Sequence, residues 1–126
     1  MGYVRVHGTV ANSSNHELKA EVDFLVDTGA IYSVVPKKVA EKISLKELGK
    51  RKFRTGSGIV EMPIGEAYLT VDGEGVTTIV AISFDENMPV LLGVTTLELL
   101  GLQVDPLTGK LKPLDLLILY HKKVKP

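Results

Sequence analysis

The sequence predicts an all-β domain, and three observations support this prediction. Turn-forming residues recur about every eight to twelve positions, and the segments between them are rich in Val, Ile, Thr and Leu. Several of those segments alternate apolar and polar residues, as half-buried strands do. No repeat or linker-like stretch divides the 126 residues. We therefore expect one domain, 1–126, with a core at about 17–114 and a C-terminal tail at about 121–126.

The first two predicted strands lead into a short polar motif. A valine-rich segment at 4–10 indicates the first strand, which ends at a run of turn formers, 11–15. The second strand covers 18–26, and its alternation gives way to a continuous apolar stretch, Phe24-Leu25-Val26, just before Asp27. We expect this end of the strand to be fully buried.

The next segment predicts a strand followed by a short helix. A β-branched run at 31–35 indicates the strand, and Pro36 suits the first position of a helix. Apolar residues at helical spacing follow in 39–43. Ser44-Leu45-Lys46-Glu47 fits a capping box and predicts a further helical turn.

The middle of the chain predicts two hairpins. Residues 53–62 form the first, with Gly56-Ser57-Gly58 at its tip. Residues 67–82 form the second, with a turn at 72–75.

The last third of the chain predicts a mixed set of short elements. It contains a buried strand at 89–93 and a helix at 95–100, which Gly101 stops. A turn at 105–109 then leads into a last strand at 110–119.

Composition argues against several functions. Lys plus Arg equals Asp plus Glu at 15 each, so the chain has no cationic excess for phosphate backbones, and we expect no nucleic acid partner. The absence of cysteine excludes disulfides and thiol chemistry. The longest apolar stretch, 114–120, is too short to cross a bilayer, and the first residues lack a signal-peptide pattern. We expect a cytoplasmic protein without a membrane partner.

Other polar residues carry weaker signals. The three histidines, His7, His16 and His121, lack metal-ligand spacing, so we expect no metal and no cofactor. Glu61 stands where a phosphate loop that began at Gly56 would need its third glycine. We interpret the basic residues between 37 and 54 as a solvated face, with attraction of acidic substrates as the lesser alternative.

The triplet Asp27-Thr28-Gly29 is the candidate for chemistry. Asp and Gly are common in turns, so an isolated triplet of this kind is an ordinary surface turn. Here it lies between the apolar residues 24–26 and Ala30-Ile31. A carboxylate in such surroundings must be hydrogen-bonded, paired or functional, because burying it bare is costly.

Three segments of the sequence match, in order and spacing, the motifs of one known family. Residues 26–30 with Ser33-Val34-Val35-Pro36 resemble the active-site loop of retroviral-type (retropepsin-like) aspartic peptidases and their cellular and prokaryotic relatives. Val90-Leu91-Leu92-Gly93 and the helix after it resemble its second signature, and 54–59 lies where the family has a flap over the substrate. The resemblance covers about 17–114. It implies the acid protease fold, a closed β-barrel with one short helix near the C-terminal end, functional as a two-fold homodimer.

The resemblance also implies roles for individual residues. Asp27 would be catalytic, because two nearby carboxyls that share one proton can serve as base and acid toward water and the leaving nitrogen. The residues that would support it in the active-site loop are Thr28, Gly29 and Ala30. The substrate-binding flap would comprise Gly56, Ser57, Gly58 and Ile59.

The sequence contains a single such triplet, so the second carboxyl would come from another copy of the chain. The predicted function is an aspartic endopeptidase that acts on peptide or protein substrates. The alternative is a catalytically silent peptide-binding or dimerisation domain with the same fold. By resemblance, 114–120 would contribute to the dimer contact. Ile31 and Val94 replace an ion pair that is usual in retroviral enzymes, so an apolar contact would take its place.

Overall fold

The computed structural model describes residues 4–120, and the predicted tail at 121–126 lies outside the described residues. Within 4–120 the chain forms nine strands and two short helices. In chain order they are β1 (Arg5–Asn12), β2 (Lys19–Val26), β3 (Ser33–Pro36), α1 (Lys37–Lys42), β4 (Lys46–Thr55), β5 (Gly58–Val71), β6 (Glu74–Ser83), β7 (Leu91–Leu92), α2 (Val94–Leu100), β8 (Leu102–Asp105) and β9 (Lys110–Pro113).

Six of the strands close into a barrel. Their order is β1-β2-β7-β3-β6-β5, and β5 pairs back onto β1 to complete the ring. Closure leaves no free edge within the ring. In the part of the chain that the structure describes, β4 pairs only with β5 and extends from the barrel. The predicted closed β-barrel is confirmed.

The barrel interior is the main hydrophobic core. Along β2 every second side chain, Ala20, Val22 and Phe24, is buried, and the charged residues between them are exposed. Phe24 has 0% of its surface exposed and belongs to a cluster with residues of β1, β5, β6 and α2. The predicted alternation therefore sets which face of β2 enters the core.

Both predicted short helices are present, α1 after Pro36 and α2 up to the left-handed Gly101 (φ 69°). No helix within residues 4–120 has the length and apolar character needed to cross a membrane. The further helical turn predicted at 44–47 is wrong, because Ser44 has a left-handed φ of 50° and β4 begins at Lys46. The Asn12 amide of β1 donates to the carbonyls of Ile43 and Ser44 and so closes the end of α1.

Several strand predictions differ from the structure. β4 begins at Lys46 instead of position 53, and β8 is not among the predicted strands. Leu25 and Val26 at the end of β2 are partly and not fully buried.

Two further strand predictions also differ from the structure. The segments expected at 59–62 and 67–71 form one continuous strand, β5, which pairs with β4 at one end and with β6 and β1 at the other. The last strand ends at Pro113 instead of position 119. Residues 114–120 have no partner strand among the described residues, and the exposed fraction is 57% at Leu116 and 88% at Leu119.

Truncation of the largest fully buried side chain tests this core. We expect Phe24→Ala to lower the free energy of unfolding by about 3–5 kcal/mol, because it leaves a cavity inside the closed barrel. Leu107→Ala, at a side chain that is 94% exposed, should change it by less than about 0.5 kcal/mol. Urea unfolding at matched protein concentration measures both. Equal effects would place Phe24 outside the core.

Candidate active site

Asp27 lies where the barrel places two neighbouring strand ends side by side. β2 runs parallel to β7, with Val26 opposite Leu92, and Asp27 follows directly. Its N–H donates to the Leu92 carbonyl at 3.0 Å, and its own carbonyl accepts from the N–H of Ala30 at 3.1 Å. The loop is therefore fixed both to β7 and to itself.

The carboxylate of Asp27 is ordered by its own loop. The Gly29 N–H donates to Asp27 Oδ1 at 2.9 Å. A Cβ at position 29 would lie 3.2 Å from that oxygen, a tight contact, so glycine allows this approach without displacing the carboxylate. Asp27 is half-buried, while Thr28 and Gly29 are exposed. The acceptor atoms of Asp27 therefore have one internal donor and an open side.

A buried hydroxyl pair supports the loop from below. Ser33 and Thr96 are both 0% exposed, and their hydroxyl oxygens are 2.6 Å apart. The Ser33 Oγ also accepts from the N–H of Gly93 at 2.9 Å. β3, the end of β7 and the first turn of α2 thus meet at one small polar cluster. This polar cluster was not predicted from the sequence. A serine and a threonine within otherwise apolar segments could have indicated a buried hydrogen-bonded pair.

The loop after Asp27 and the segment after β7 are in direct contact. A Cβ at Gly93 would lie 2.5 Å from the carbonyl carbon and oxygen of Tyr32, so only glycine fits. The N–H of Val94 donates to the Ala30 carbonyl at 2.8 Å, and that of Thr95 donates to the Ile31 carbonyl at 3.1 Å. The two segments that resemble the family's signatures are therefore bonded to each other.

Asp27 opens onto a groove of about 760 Å³, which we call the Asp27 groove. Its floor comes from the Asp27 loop and its far side from β4 and β5. Its lining residues are Asp27, Gly29, Ala30, Ile31, Tyr32, Val34, Lys52, Phe53, Arg54, Thr55, Gly56, Met62, Met88 and Leu91. Apolar side chains dominate this lining, as in most ligand-binding clefts.

The ends of β4 and β5 form the predicted hairpin over this groove. We call it the tip hairpin (53–62). Thr55 pairs with Gly58, and the Thr55 hydroxyl donates to the Gly58 carbonyl at 2.9 Å. Gly58 has a φ of 114°, which favours glycine, and its surroundings are open. At the base of the hairpin, the rings of Phe53 and Tyr32 meet edge to face with centroids 5.8 Å apart.

The structure brings only some of the predicted site residues to the groove. Asp27, Gly29, Ala30 and Gly56 line it. The predicted site residues that do not line it within one chain are Thr28, Ser57, Gly58 and Ile59, all of which are exposed.

Other parts of the described chain lack comparable features. Residues 4–120 contain no group of three or more His, Asp or Glu side chains that could hold a metal ion. A second cleft, of about 410 Å³, lies between α1 and β4 and contains none of the predicted site residues.

Comparison with known proteins agrees with this geometry. Residues 17–99 match the family model described as "gag-polyprotein putative aspartyl protease". The chain belongs to this family. The match covers most of the chain and includes both the Asp27 loop and β7, so the resemblance noted in the sequence is confirmed. No curated protein matches the sequence.

The fold is also similar to that of a solved aspartyl protease. EIAV protease, in its complex with the inhibitor HBY-793, superimposes with a TM-score of 0.59 at 20% sequence identity. The match covers 77% of this chain and 88% of the viral one. The acid protease fold is therefore shared despite low sequence identity, and both family and fold are those of aspartic proteases.

Removal of each hydroxyl in turn tests the buried cluster. Ser33→Ala should lower the free energy of unfolding by about 2–3 kcal/mol, because both the Gly93 N–H and the Thr96 hydroxyl lose their partner. Thr96→Val deletes only one contact of Ser33 and should cost about 1 kcal/mol. Chemical denaturation of both variants measures the difference. An equal or reversed order would show that the Gly93 bond contributes nothing.

Proposed function

We propose that the chain is an aspartic endopeptidase in which Asp27 from each of two copies forms one catalytic pair. The observation that carries this proposal is the placement of the Asp27 carboxylate. It lies in the floor of a mostly apolar groove, bonded to Gly29 and open on its other side. Such a groove suits an extended peptide with apolar side chains.

The chemistry follows from two carboxyls that lie close together. Like charges at short distance cannot both ionise easily, so the pair holds one proton between them. The ionised carboxyl takes a proton from water as the water oxygen attacks the peptide carbonyl. The protonated carboxyl then supplies the proton that the leaving nitrogen needs. Both products leave, and the pair returns to its singly protonated form.

The surface around Asp27 supports assembly with a second copy. The sequence holds one Asp-Thr-Gly triplet, so one chain has half of the pair. Thr28 is exposed beside the carboxylate, and Ile31 is 62% exposed. The apolar residues of 116–120 add further exposed surface. Large apolar side chains that are exposed in one chain are candidates for such an interface, and a two-fold axis at Thr28 would bring both carboxylates together.

The tip hairpin acts as a flap in this proposal. It covers the Asp27 groove from one side, and its tip residues are exposed. Closure over a bound peptide would exclude water and hold the peptide extended against the floor. The Tyr32–Phe53 contact fixes the base of the hairpin, so movement would be confined to the tip.

Asp27→Asn should abolish hydrolysis of apolar-rich peptides while the fold persists. Asn can still accept the Gly29 N–H through its side-chain oxygen, so the loop keeps its shape. It cannot ionise or hold the shared proton, so we expect turnover to fall at least about a thousandfold. Mass spectrometry of digested peptides measures turnover, and circular dichroism monitors the fold. Undiminished turnover in this variant would contradict the proposal.

Mixing native and Asp27→Asn chains tests whether the pair is shared. After exchange at equal amounts, about one quarter of two-fold dimers carry two native carboxyls. Activity should therefore fall to about a quarter of that of the same total amount of native protein. A value of one half would mean that each chain works alone. Analytical ultracentrifugation of the same samples shows whether dimers are present.

Gly58→Ala tests the flap. Alanine at a φ of 114° is strained, so we expect a stability loss of about 1–2 kcal/mol and a fall in kcat/KM of about tenfold, because the tip can no longer close correctly. Gly73→Ala is the matched control. Gly73 also has a positive φ, 79°, and open surroundings, but it lies in the β5–β6 turn and not at the groove. Equal losses of kcat/KM in both variants would refute a flap role.

A further inference from the structure

β4 is unusually basic for a chain with no net charge. It carries five of the 15 Lys and Arg residues and a single carboxylate, Glu47. Its cations are Lys46, Lys50, Arg51, Lys52 and Arg54. Among the strands of residues 4–120, it also lies at the free edge of the sheet. Cationic charge is therefore spread along β4, and one end of this strand borders the Asp27 groove.

Two of these cations border the groove itself. Lys52 and Arg54 line it, and Asp27 is the sole carboxylate in that lining. Both cations are exposed, whereas Phe53 between them is half-buried and its ring contacts Tyr32. Lys52 and Arg54 therefore form the solvent-exposed rim of the groove, while apolar side chains such as Val34 and Leu91 form its interior.

Neither cation is neutralised within residues 4–120. Lys52 is opposite Glu61 across the hairpin, yet their charged atoms are not within 4.0 Å. Arg54 is opposite Ile59, which offers no charge. Both side chains are exposed, and both belong to a regular ladder, so their positions are set by β4 and not by a loose loop.

We propose that Lys52 and Arg54 select peptides that carry acidic side chains outside an apolar scissile pair. The inference rests on the proposed peptidase function and names its substrate class. The apolar interior of the groove binds the central side chains of the peptide, and the cationic rim binds a carboxylate farther along the peptide. A guanidinium such as that of Arg54 can bind a carboxylate through two parallel hydrogen bonds. In a two-fold dimer each chain contributes one Lys52 and one Arg54, so both ends of the peptide would contact a cationic rim.

Three synthetic peptides with one apolar centre and Glu, Gln or Lys on both flanks test this selection. For the native protein we expect kcat/KM to be about tenfold higher for the Glu peptide than for the Lys peptide, with the Gln peptide between them. The preference should shrink in 1 M salt, where the screening length falls to about 3 Å. An equal rate for all three peptides overturns the proposal.

Charge reversal identifies the residues responsible. Arg54→Glu should lower the Glu-to-Lys ratio of kcat/KM at least about tenfold, and Lys52→Glu should act in the same direction with a smaller change. Lys46→Glu is the matched control, because it makes the same charge change on the same strand, about 26 Å from Arg54 along β4. An equal shift of the ratio in all three variants would mean that net charge, not the groove rim, sets the preference.

A binding measurement separates this proposal from the proposed chemistry. If the native protein cleaves none of the peptides, the proposed peptidase function is wrong. Fluorescence anisotropy with labelled Glu and Lys peptides then measures whether the protein still binds the acidic peptide more tightly. The proposed selection is supported if the Asp27→Asn variant binds the Glu peptide more tightly than the Lys peptide. This difference in affinity should disappear when Arg54→Glu is added to the Asp27→Asn variant. Equal affinities of the Asp27→Asn variant for the two peptides overturn the proposed selection.

Discussion

The close contact between Gly93 and the Tyr32–Ser33 peptide is the constraint on which the site depends. No side chain fits there, so the backbone after β7 lies directly against the backbone that enters β3. The Ser33 hydroxyl then reaches both the Gly93 N–H and Thr96. Because Asp27 is itself bonded to Leu92, one residue before Gly93, any shift of this contact would move the carboxylate.

The same arrangement explains why the floor of the Asp27 groove is firmly held while the tip hairpin above it is not. The floor is held by backbone bonds to β7 and to the start of α2, and by hydroxyl groups that are fully buried. The tip hairpin has exposed residues and an open glycine at Gly58. A site that must present a carboxylate accurately and still admit a long ligand needs both properties.

Residue patterns alone predicted the local features, whereas the closed barrel was predicted only through the family resemblance. Alternation along β2 and the Asp27 triplet were readable because each is a pattern of near neighbours. The insertion of β7 between β2 and β3 was not, since it joins segments about 60 residues apart. The same holds for the Ser33–Thr96 pair and for Asn12, which ends α1 from another strand. Pro63 and Gly65 resemble strand breakers, yet β5 continues through both because β4 and β6 pair with it.

The open edge of β4 has a consequence for solubility. Unpaired strand edges can recruit other chains into aggregates, and proteins often protect them with Lys and other charged side chains. β4 carries five cations, so mutual repulsion between basic edges would protect this edge. Leu48 of β4 and Val60 of β5 are 46% and 41% exposed and would otherwise favour association between chains. Variants of the chain that lose these cations would therefore gain a tendency to form edge-to-edge aggregates at high concentration.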